Sequence, residues 1–473
     1  MILTLALRHL WVKKRRSALL LLGFALGVGV MILLLSVGEA MLDQSRDVAL
    51  VGGGEVTVLP LGIDVEAMRT GGVSGMFFGI DHARFLTRQL LGGPRHADVV
   101  RAVAPAIEEK ILYLERSGVS FPVRAGGEIP SRAVTVGAGL ELLAGAWHDS
   151  PADSTWISPN ASRLYDELDR FHVLEKPDST WGEWDYFNVV TGDGEWWYIT
   201  LLVGGAVPVG QWGGEVLITR RSPDGNYQRY STRVPAAQVR FDTTRADLSI
   251  GSSSVRQSDG IYRLEARAGD ARVELEIEPL PNQYSPAVEL REEALLSGYV
   301  VPGVTANATG RVCVLDRCRR VTGVPAYHDH NWGVWRGVSW EWGAARGASL
   351  ALLYGGIYSA ETDSAATPFF FTVIDSLGVR QILRFRSIRY AGRRPASPDG
   401  RVSAPTRFDI AAARGSDSVR LDVHVEDVLA SRMGSAGLDR HILQMRGRFR
   451  LTGRIVGELV ADSGSGFFET YVP

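Results

Sequence analysis

The chain has 473 residues, of which 45% are hydrophobic and 22% charged, with a formal net charge of -2. At roughly 100–200 residues per domain, this length predicts two to four domains with sizeable cores. The balanced charge excludes the basic excess of a nucleic-acid-binding protein and the bias of a disordered chain, so we expect no nucleic-acid partner. Glycine is abundant and helical periodicity is rare after the first 45 positions, which favours strands and turns.

The chain begins with a basic cluster at positions 13–16 and a long apolar run. The 22 residues from 17 to 38 carry no charge. A helix of that length, at a rise of about 1.5 Å per residue, crosses a hydrocarbon core about 30 Å thick. Residues 1–38 are therefore predicted to form a cytoplasmic stub and one transmembrane helix. A cleaved signal peptide is the alternative, with Gly38 and Ala40 as a small-residue cleavage site.

The position of the basic cluster also predicts the orientation of this helix. Basic residues stay on the cytoplasmic side of a membrane segment. We therefore expect a single-pass protein of the bacterial inner (cytoplasmic) membrane, with its N-terminus inside and the bulk of the chain in the periplasm.

This region resembles a known family. LALRHLWVKKRRSALLLLGFALGVGVMILLLSVG followed by GGGEVTVLP resembles the N-terminal anchor of permease subunits of MacB/FtsX-type ABC transporters. DVVRAVAPAIEEKILYLERSGVSFPVRAGGEIP resembles the start of their extracytoplasmic domain. The resemblance covers about the first 145 residues, and the remaining transmembrane helices of such a permease are missing. It implies an anchor and docking module, with ABC transporter subunits as partners.

Residues 39–150 mix short alternating runs with one amphipathic segment, IDHARFLTRQLL, which places Phe85, Leu86 and Leu90 at helical spacing. We predict a small α+β region here. The stretch HDSPADSTWISPNAS is rich in Ser, Pro, Asp and Asn, so a domain boundary is expected near Pro151.

Beyond this boundary, two series of short strand patterns are separated by turn signals such as TGDG, SPDG and RAGD. Evenly spaced strands of this kind predict antiparallel sandwiches or barrels. We expect a mainly β chain, with a first β domain over 151–337 and a second over 338–473.

Nine of the twelve tryptophans form two clusters, within 181–212 and within 332–342. Each ring can bury on the order of 200 Å², so these clusters form either sheet cores or the walls of an apolar cavity. Polar companions such as Asp185 and Glu341 add weight to the cavity, because buried indole N–H groups need partners, and the sheet core remains open beside it. The predicted ligand-binding residues are Trp196, Trp197, Tyr198, Trp332, Trp335, Trp340 and Trp342.

Cys313 and Cys318 are the two cysteines, and they flank VLDR in a predicted hairpin. They can form a cross-strand disulfide if the hairpin register places them opposite one another and the compartment is oxidising. A metal site is the weaker interpretation, because the spacing lacks a second cysteine pair.

The heptad YHDHNWG, from Tyr327 to Gly333, contains the densest group of reactive side chains. On a strand, His328, His330 and Trp332 share one face, while Tyr327, Asp329 and Asn331 share the other. We predict no metal site, because the two histidines lack a third ligand in the sequence. An aspartate among aromatic rings would have a raised pKa and could donate a proton. The alternative is structural: Asp329 accepts hydrogen bonds and joins the two β domains.

GVPAYHDHNWG followed by SWEWGAARG resembles the signature of the CrtC/AttH family, which includes the carotenoid 1,2-hydratase. EWDYFNVVTGDGEWWYITLLVGG resembles the opening strands of that family, and GRFRLTGRIVGE with SGSGFFETYV resembles its close. The resemblance covers about residues 151–473 and implies two lipocalin-like β-barrels that act on apolar polyenes. It implies that Asp329 is a proton donor, surrounded by Tyr327, His328, His330 and Trp332.

Three functions remain open from the sequence. The exported part could bind an apolar polyene, isoprenoid or lipid-like molecule that Asp329 protonates or hydrates. It could instead carry such a ligand to an ABC transporter without chemistry, or assist transporter assembly with no ligand. The sequence predicts no cofactor.

Overall fold

The computed structural model describes residues 14–49, 56, 58, 80–136, 148–153, 169–174, 176–292, 295–334, 338–359, 370–396, 400–435 and 438–472. These form two compact units, residues 1–79 with 102–157 and residues 80–101 with 158–473.

Three α-helices lie in the described part of the chain: α1 (Lys14–Ala49), α2 (Ile80–Gly92) and α3 (Pro130–Val136). The strands are β1 (Ala106–Arg116), β2 (Val119–Glu128), β3 (Trp181–Val190), β4 (Trp196–Gly205), β5 (Trp212–Arg221), β6 (Tyr227–Pro235), β7 (Val239–Phe241), β8 (Asp247–Ile250), β9 (Ser253–Ser258), β10 (Ile261–Ala268), β11 (Ala271–Pro279), β12 (Ser285–Glu292), β13 (Leu295–Val314), β14 (Arg317–Val334), β15 (Val338–Gly347), β16 (Ala351–Ser359), β17 (Phe370–Asp375), β18 (Gly378–Ala391), β19 (Arg394–Pro395), β20 (Ser403–Ala404), β21 (Arg407–Arg414), β22 (Asp417–Ser435), β23 (Leu438–Ile455) and β24 (Glu458–Val472).

The first unit contains α1, the hairpin β1–β2 and α3. Ser117 and Gly118 have positive φ angles of 53° and 74° at the hairpin turn, as a tight two-residue connection requires. The predicted transmembrane segment falls on α1. Within the described residues, no helix combines the length and the apolarity needed to cross a membrane.

The second unit contains α2, in agreement with the helix predicted over IDHARFLTRQLL, and all remaining strands. Phe85 packs its ring edge against Tyr284, with 5.9 Å between the ring centroids. Arg95 follows the helix and pairs with Asp375 at 2.6 Å. These contacts attach α2 to the β structure.

The first barrel is a twelve-stranded antiparallel sheet in the order β6-β5-β4-β3-β14-β13-β11-β10-β9-β8-β7, with β12 added beside β13. β5 packs against β8 and β10, so the sheet curls around one apolar core. The end strands β6 and β7 follow one another in the chain but do not pair, which leaves the barrel nearly closed. β10 illustrates the local cause, because its buried and less buried residues alternate strictly along Ile261–Ala268.

The second barrel is closed by eight strands in the order β15-β16-β17-β18-β21-β22-β23-β24, with β24 pairing back to β15. Its interior holds a separate apolar core. Together the two barrels confirm the prediction of a mainly β chain with two antiparallel barrels.

A third apolar cluster lies between the barrels, and we call it the seam. Its buried members are Tyr186, Trp196, Tyr198, Val301, Val304, Tyr327, Trp342, Ala344, Ala351, Leu353, Ile374 and Phe467. They come from β3, β4, β13 and β14 of the first barrel and from β15, β16, β17 and β24 of the second. The outer faces of the two barrels are therefore joined by aromatic packing.

β13 and β14 form a long hairpin that supplies part of this seam. Cys313 and Cys318 lie opposite one another near its turn and are joined by a disulfide. At the other end, the segment from Ala326 to Val334 pairs with both β3 and β13. This segment is almost continuously buried, because the first barrel's core covers one face and the seam covers the other.

Candidate functional site

The heptad lies on β14, and its side chains alternate between the two faces. Trp332 belongs to the core of the first barrel, whereas Tyr327 belongs to the seam. Across the β3–β14 pair, His330 lies opposite Asp185 and Asp329 lies opposite Tyr186. The predicted division of the heptad into two faces is confirmed.

The interior face carries a buried ionic cluster built on Asp169, which lies in the segment before β3. Its Oδ2 is 3.1 Å from Nε2 of His328, and its Oδ1 is 2.7 Å from Nδ1 of His330. The other ring nitrogen of His330, Nε2, is 2.8 Å from Oε1 of Glu183. These four side chains are at most 3% exposed, so the cluster is screened from solvent.

The hydrogen-bond partners fix the protonation of both histidines. Nδ1 of His328 lies 3.0 Å from the carbonyl oxygen of Tyr186, and its Nε2 faces the Asp169 carboxylate. Because the carbonyl and an ionised carboxylate both accept hydrogen bonds, these contacts favour a hydrogen on each ring nitrogen. His330 stands between two carboxylates in the same way. These surroundings favour the imidazolium form of each ring.

The directions of the pKa shifts agree with this assignment. Burial opposes protonation of His328 and His330, but the neighbouring carboxyl groups outweigh it and raise the pKa of both rings. For Asp169, burial would raise the pKa, yet the two histidines hold it far below its usual value. The cluster is a balanced set of buried charges.

Asp185 sits beside this cluster, and its contacts with the two histidines are long. Its Oδ1 is 3.9 Å from Nε2 of His328 and 4.0 Å from Nδ1 of His330. Burial raises the pKa of Asp185 to about 7. Asp169, Asp185 and His330 also line a cavity of about 10 Å³, which has room for a single water molecule.

The cluster also binds the segment that precedes β3 inside the barrel. The backbone N–H of His172 donates to Oε1 of Glu183 at 2.7 Å, and its ring stacks on Trp332 with 3.6 Å between centroids. The ring of His328 stacks on Phe187 in the same way, at 4.0 Å. The histidines of the heptad thus act within the core of the first barrel.

Among the residues that the structure describes, two groups of side chains could hold a metal ion: His172 with Glu183 and His330, and Asp169 with Asp185 and His330. The third ligand that the sequence lacks is thus available in the structure. Both groups share His330, whose two ring nitrogens already contact Asp169 and Glu183, so a metal ion would have to displace a proton and a hydrogen bond from this ring. The prediction of no metal site stays a prediction.

The seam face presents Asp329 with two hydrogen-bond donors. The hydroxyl of Tyr327 donates to Oδ2 at 2.6 Å, and the amide of Asn331 donates to Oδ1 at 2.6 Å. Nε1 of Trp342, from the second barrel, donates to the Tyr327 hydroxyl at 2.9 Å. A chain of hydrogen bonds therefore runs from one barrel to the acid of the other.

The environment of Asp329 keeps a proton available near neutral pH. Asp329 is 4% exposed, and burial raises its pKa to about 7. The hydrogen bond from Tyr327 opposes this shift, and the carboxyl of Glu469 adds to it. A carboxyl group with this pKa exists in both protonation states at physiological pH.

A second buried acid lies in the second barrel. Glu341 accepts hydrogen bonds from the hydroxyls of Tyr390, at 2.6 Å, and Thr470. Burial raises the pKa of Glu341 to about 7 as well. Glu341 is therefore a matched reference for Asp329 on a different set of strands.

The predicted ligand-binding residues divide between two places. Trp196, Tyr198 and Trp342 are buried in the seam, and Trp340 packs against it while donating to Glu469 at 3.1 Å. Trp197 and Trp332 lie in the core of the first barrel instead. Trp335 lies outside the described residues.

His328, His330 and Trp332 lie on the opposite face of β14 from Asp329, because alternation along the strand turns all three toward the barrel interior, and their role in the site stays a prediction. Tyr327 is the one predicted partner that contacts Asp329. No sequence pattern points to Asp169 or Glu183, and Asp185 stands out in the sequence only as a polar companion of the tryptophans.

The fold and the residues around Asp329 together describe the class of protein. It is a β protein of two barrels that has a buried acid in the aromatic seam between them. No family model matches the chain, and no curated protein matches it. Among solved structures, it is similar to an AttH-like protein from Nitrosomonas europaea at 17% identity, with a TM-score of 0.45, over 63% of this chain and 97% of the other.

It is also similar to kievitone hydratase from Nectria haematococca at 15% identity, with a TM-score of 0.42, over 64% of this chain and 94% of the other. The protein CghA is similar at 13% identity, with a TM-score of 0.45, over 64% and 96%. Likenesses this distant support no inference about activity. None of the comparisons supports the permease-like resemblance of the first 145 residues.

Proposed function

We propose that the chain binds an apolar polyene, isoprenoid or lipid-like molecule among the aromatic side chains of the seam, and that Asp329 protonates it. Water would then add to the resulting carbocation and give a proton back to the Asp329 carboxylate, which completes a hydration and restores the acid. The observation that carries the proposal is the buried carboxyl of Asp329, whose pKa is raised to about 7 beside Tyr327 and Trp342.

The chemistry follows from these contacts. A general acid works best when its pKa lies near the working pH, because it can both give up and recover a proton. Burial supplies that pKa, and the hydrogen bonds from Tyr327 and Asn331 hold the carboxyl in one orientation. Rings such as Trp342 and Phe467 offer an apolar wall beside it. The CrtC/AttH resemblance of the heptad supports the same role.

The second candidate is a carrier without chemistry. The hydrogen bonds through Tyr327 and Trp342 link the barrels, so Asp329 could serve only to hold the seam together. In this alternative the protein presents its ligand to a MacB/FtsX-type ABC transporter. Membrane anchoring through residues 17–38 and the transporter partner belong to this proposal and rest on the sequence alone.

The test compares the wild-type chain with Asp329→Asn and with Glu341→Gln as the matched control. Each protein is purified with its apolar ligand, incubated in water labelled with heavy oxygen, and analysed by mass spectrometry. We expect wild type and Glu341→Gln to incorporate the label, and Asp329→Asn to keep the ligand but convert it at least about 100-fold more slowly.

Other outcomes separate the candidates. Ligand without conversion in any of the three proteins would favour the carrier. Loss of conversion in Glu341→Gln alone would show that the proton donor is Glu341 of the second barrel and not Asp329. The absence of any apolar ligand from all three proteins would contradict both candidates.

A further inference from the structure

Two polar side chains of β3 face the seam without a hydrogen-bond partner. The hydroxyl of Tyr186 and the amide nitrogen of Asn188 are buried, and no described group lies in hydrogen-bond geometry with either. Both residues are at most 7% exposed. Buried polar groups are almost always paired, so an unpaired donor calls for an explanation. These two donors lie two positions apart on the same face of β3, which points to a shared cause.

These two groups border the proposed acid. Tyr186 lies directly opposite Asp329, and Asn188 lies directly opposite Tyr327, across the β3–β14 pair. Directly paired residues on one face have their Cβ atoms roughly 5 Å apart. The ring of Tyr186 also lies 6.0 Å from the ring of Phe467, which belongs to the second barrel. The unpaired donors and Asp329 thus share one surface of the seam.

The protonation of Tyr186 makes it a donor. Burial raises its pKa well above the usual value, so the hydroxyl remains a neutral phenol. Asn188 lies close enough to oppose this rise, although the two side chains do not reach hydrogen-bond geometry with each other. A neutral phenol and an amide N–H together can donate to the two lone pairs of one oxygen atom.

We propose that the seam site takes an apolar ligand that carries a neutral carbonyl or hydroxyl oxygen, bound by Tyr186 and Asn188 beside Asp329. This inference rests on the proposed function, because it assumes that the seam binds a ligand. A pure hydrocarbon would leave both donors unpaired. A ligand carboxylate would meet the carboxyl groups of Asp329 and Glu469, which both act electrostatically on Tyr186.

The experiment measures binding of four probes with the same C15 chain to the full-length protein: farnesene, farnesol, farnesal and farnesoic acid. Tryptophan fluorescence reports binding, because Trp196 and Trp342 lie in the seam. At about pH 8, where farnesoic acid is ionised, we expect farnesal and farnesol to bind about tenfold more tightly than farnesene. Farnesoate should bind more weakly than farnesal.

Variants then test which residue causes the preference for a probe that carries an oxygen atom. In Tyr186→Phe the preference for farnesal over farnesene should fall to about twofold, with farnesene affinity unchanged. This isosteric change removes a hydroxyl without a partner, so the folded state should persist. Tyr354→Phe is the matched control, because the Tyr354 hydroxyl is likewise buried and unpaired but lies in the core of the second barrel. It should keep the full preference.

The results that would contradict this inference differ from those that would contradict the proposed function. Equal affinities for farnesal and farnesene, tightest binding of farnesoate, or a preference that survives in Tyr186→Phe combined with Asn188→Ala would overturn this inference and leave the proposed function intact. If none of the four probes binds wild type, ligand binding in the seam fails, and the inference fails with it.

Discussion

The two faces of β14 hold acids of opposite character. On the interior face, Asp169 contacts two imidazolium rings, and its pKa is held far below the usual value. On the seam face, Asp329 receives hydrogen bonds only from neutral groups, and its pKa is raised to about 7. Both carboxyl groups are buried, so burial alone does not decide their charge.

The difference assigns the two faces different tasks. The ionic cluster holds the segment before β3 inside the first barrel, and its one acid with a pKa of about 7, Asp185, lies on β3 and not in the heptad. A carboxyl without a cationic partner is costly to ionise and retains an exchangeable proton. Reactivity within the heptad is therefore expected on the seam face, while the histidines stabilise the fold.

The largest expected effect comes from removing the interior acid. Asp169→Asn leaves His328 and His330 without their shared carboxylate, and breaking a buried ion pair typically costs about 3–5 kcal/mol. Urea denaturation should show a loss of that size in the free energy of unfolding. Asp259→Asn, at an exposed turn with a φ of 53°, is the control and should change it by less than about 0.5 kcal/mol. A small loss in Asp169→Asn would mean that the cluster is not ionic.

The corresponding change on the seam face should have the opposite sign. At pH 7 the carboxyl of Asp329 is partly ionised in a buried site, and this lowers the free energy of unfolding. A neutral amide at the same position would not have this effect. Asp329→Asn should therefore increase the free energy of unfolding by roughly 1–3 kcal/mol, after allowance for a weakened hydrogen bond from Tyr327. The same urea titration measures it. Destabilisation by Asp329→Asn would show that this acid, too, serves the fold.

The pH dependence of the stability difference between Asp329→Asn and wild type follows from the direction in which the pKa of Asp329 is shifted. The pKa of Asp329 is about 7 in the folded protein and near 3.8 when unfolded, so the folded state binds the extra proton between these values. The stability of wild type relative to Asp329→Asn is therefore fully present below about pH 4 and is lost as the pH rises toward 7. Denaturation series at several pH values measure this. A constant difference between the two proteins would contradict the raised pKa.

The smallest effect is expected from Tyr327→Phe. The change removes the hydroxyl that connects Trp342 to Asp329, with a loss of about 1–2 kcal/mol in the free energy of unfolding. It also removes a hydrogen bond that lowers the pKa of Asp329, so that pKa should rise further above 7. The carboxyl stretching band of Asp329 in infrared difference spectra, assigned by its absence in Asp329→Asn, measures the shift. Tyr227→Phe, on an exposed strand, should leave the band unchanged.

The sequence predicts the alternation within the heptad because strand periodicity is local. It does not predict Asp169 as a partner of the histidines, because that residue lies 159 positions before His328 in a segment without a periodic pattern. Nor does the sequence show that Trp332 lies in the core of the first barrel while Trp342 lies in the seam. Both are large buried rings on β-strands, β14 and β15, and the sequence patterns around them look alike. Which face meets the second barrel depends on long-range pairing.

Because β14 is covered on both sides, substitutions on one face have different effects from substitutions on the other. If the proposed function holds, substitutions at Tyr327, Asp329 and Asn331 would alter what the protein does to a ligand, while the even-numbered neighbours would go on supporting the first barrel. New substrate preferences could therefore evolve by single changes on one side of β14 without refolding the other. An insertion of one residue into the heptad would be different in kind, because it would exchange the two sets of side chains at once.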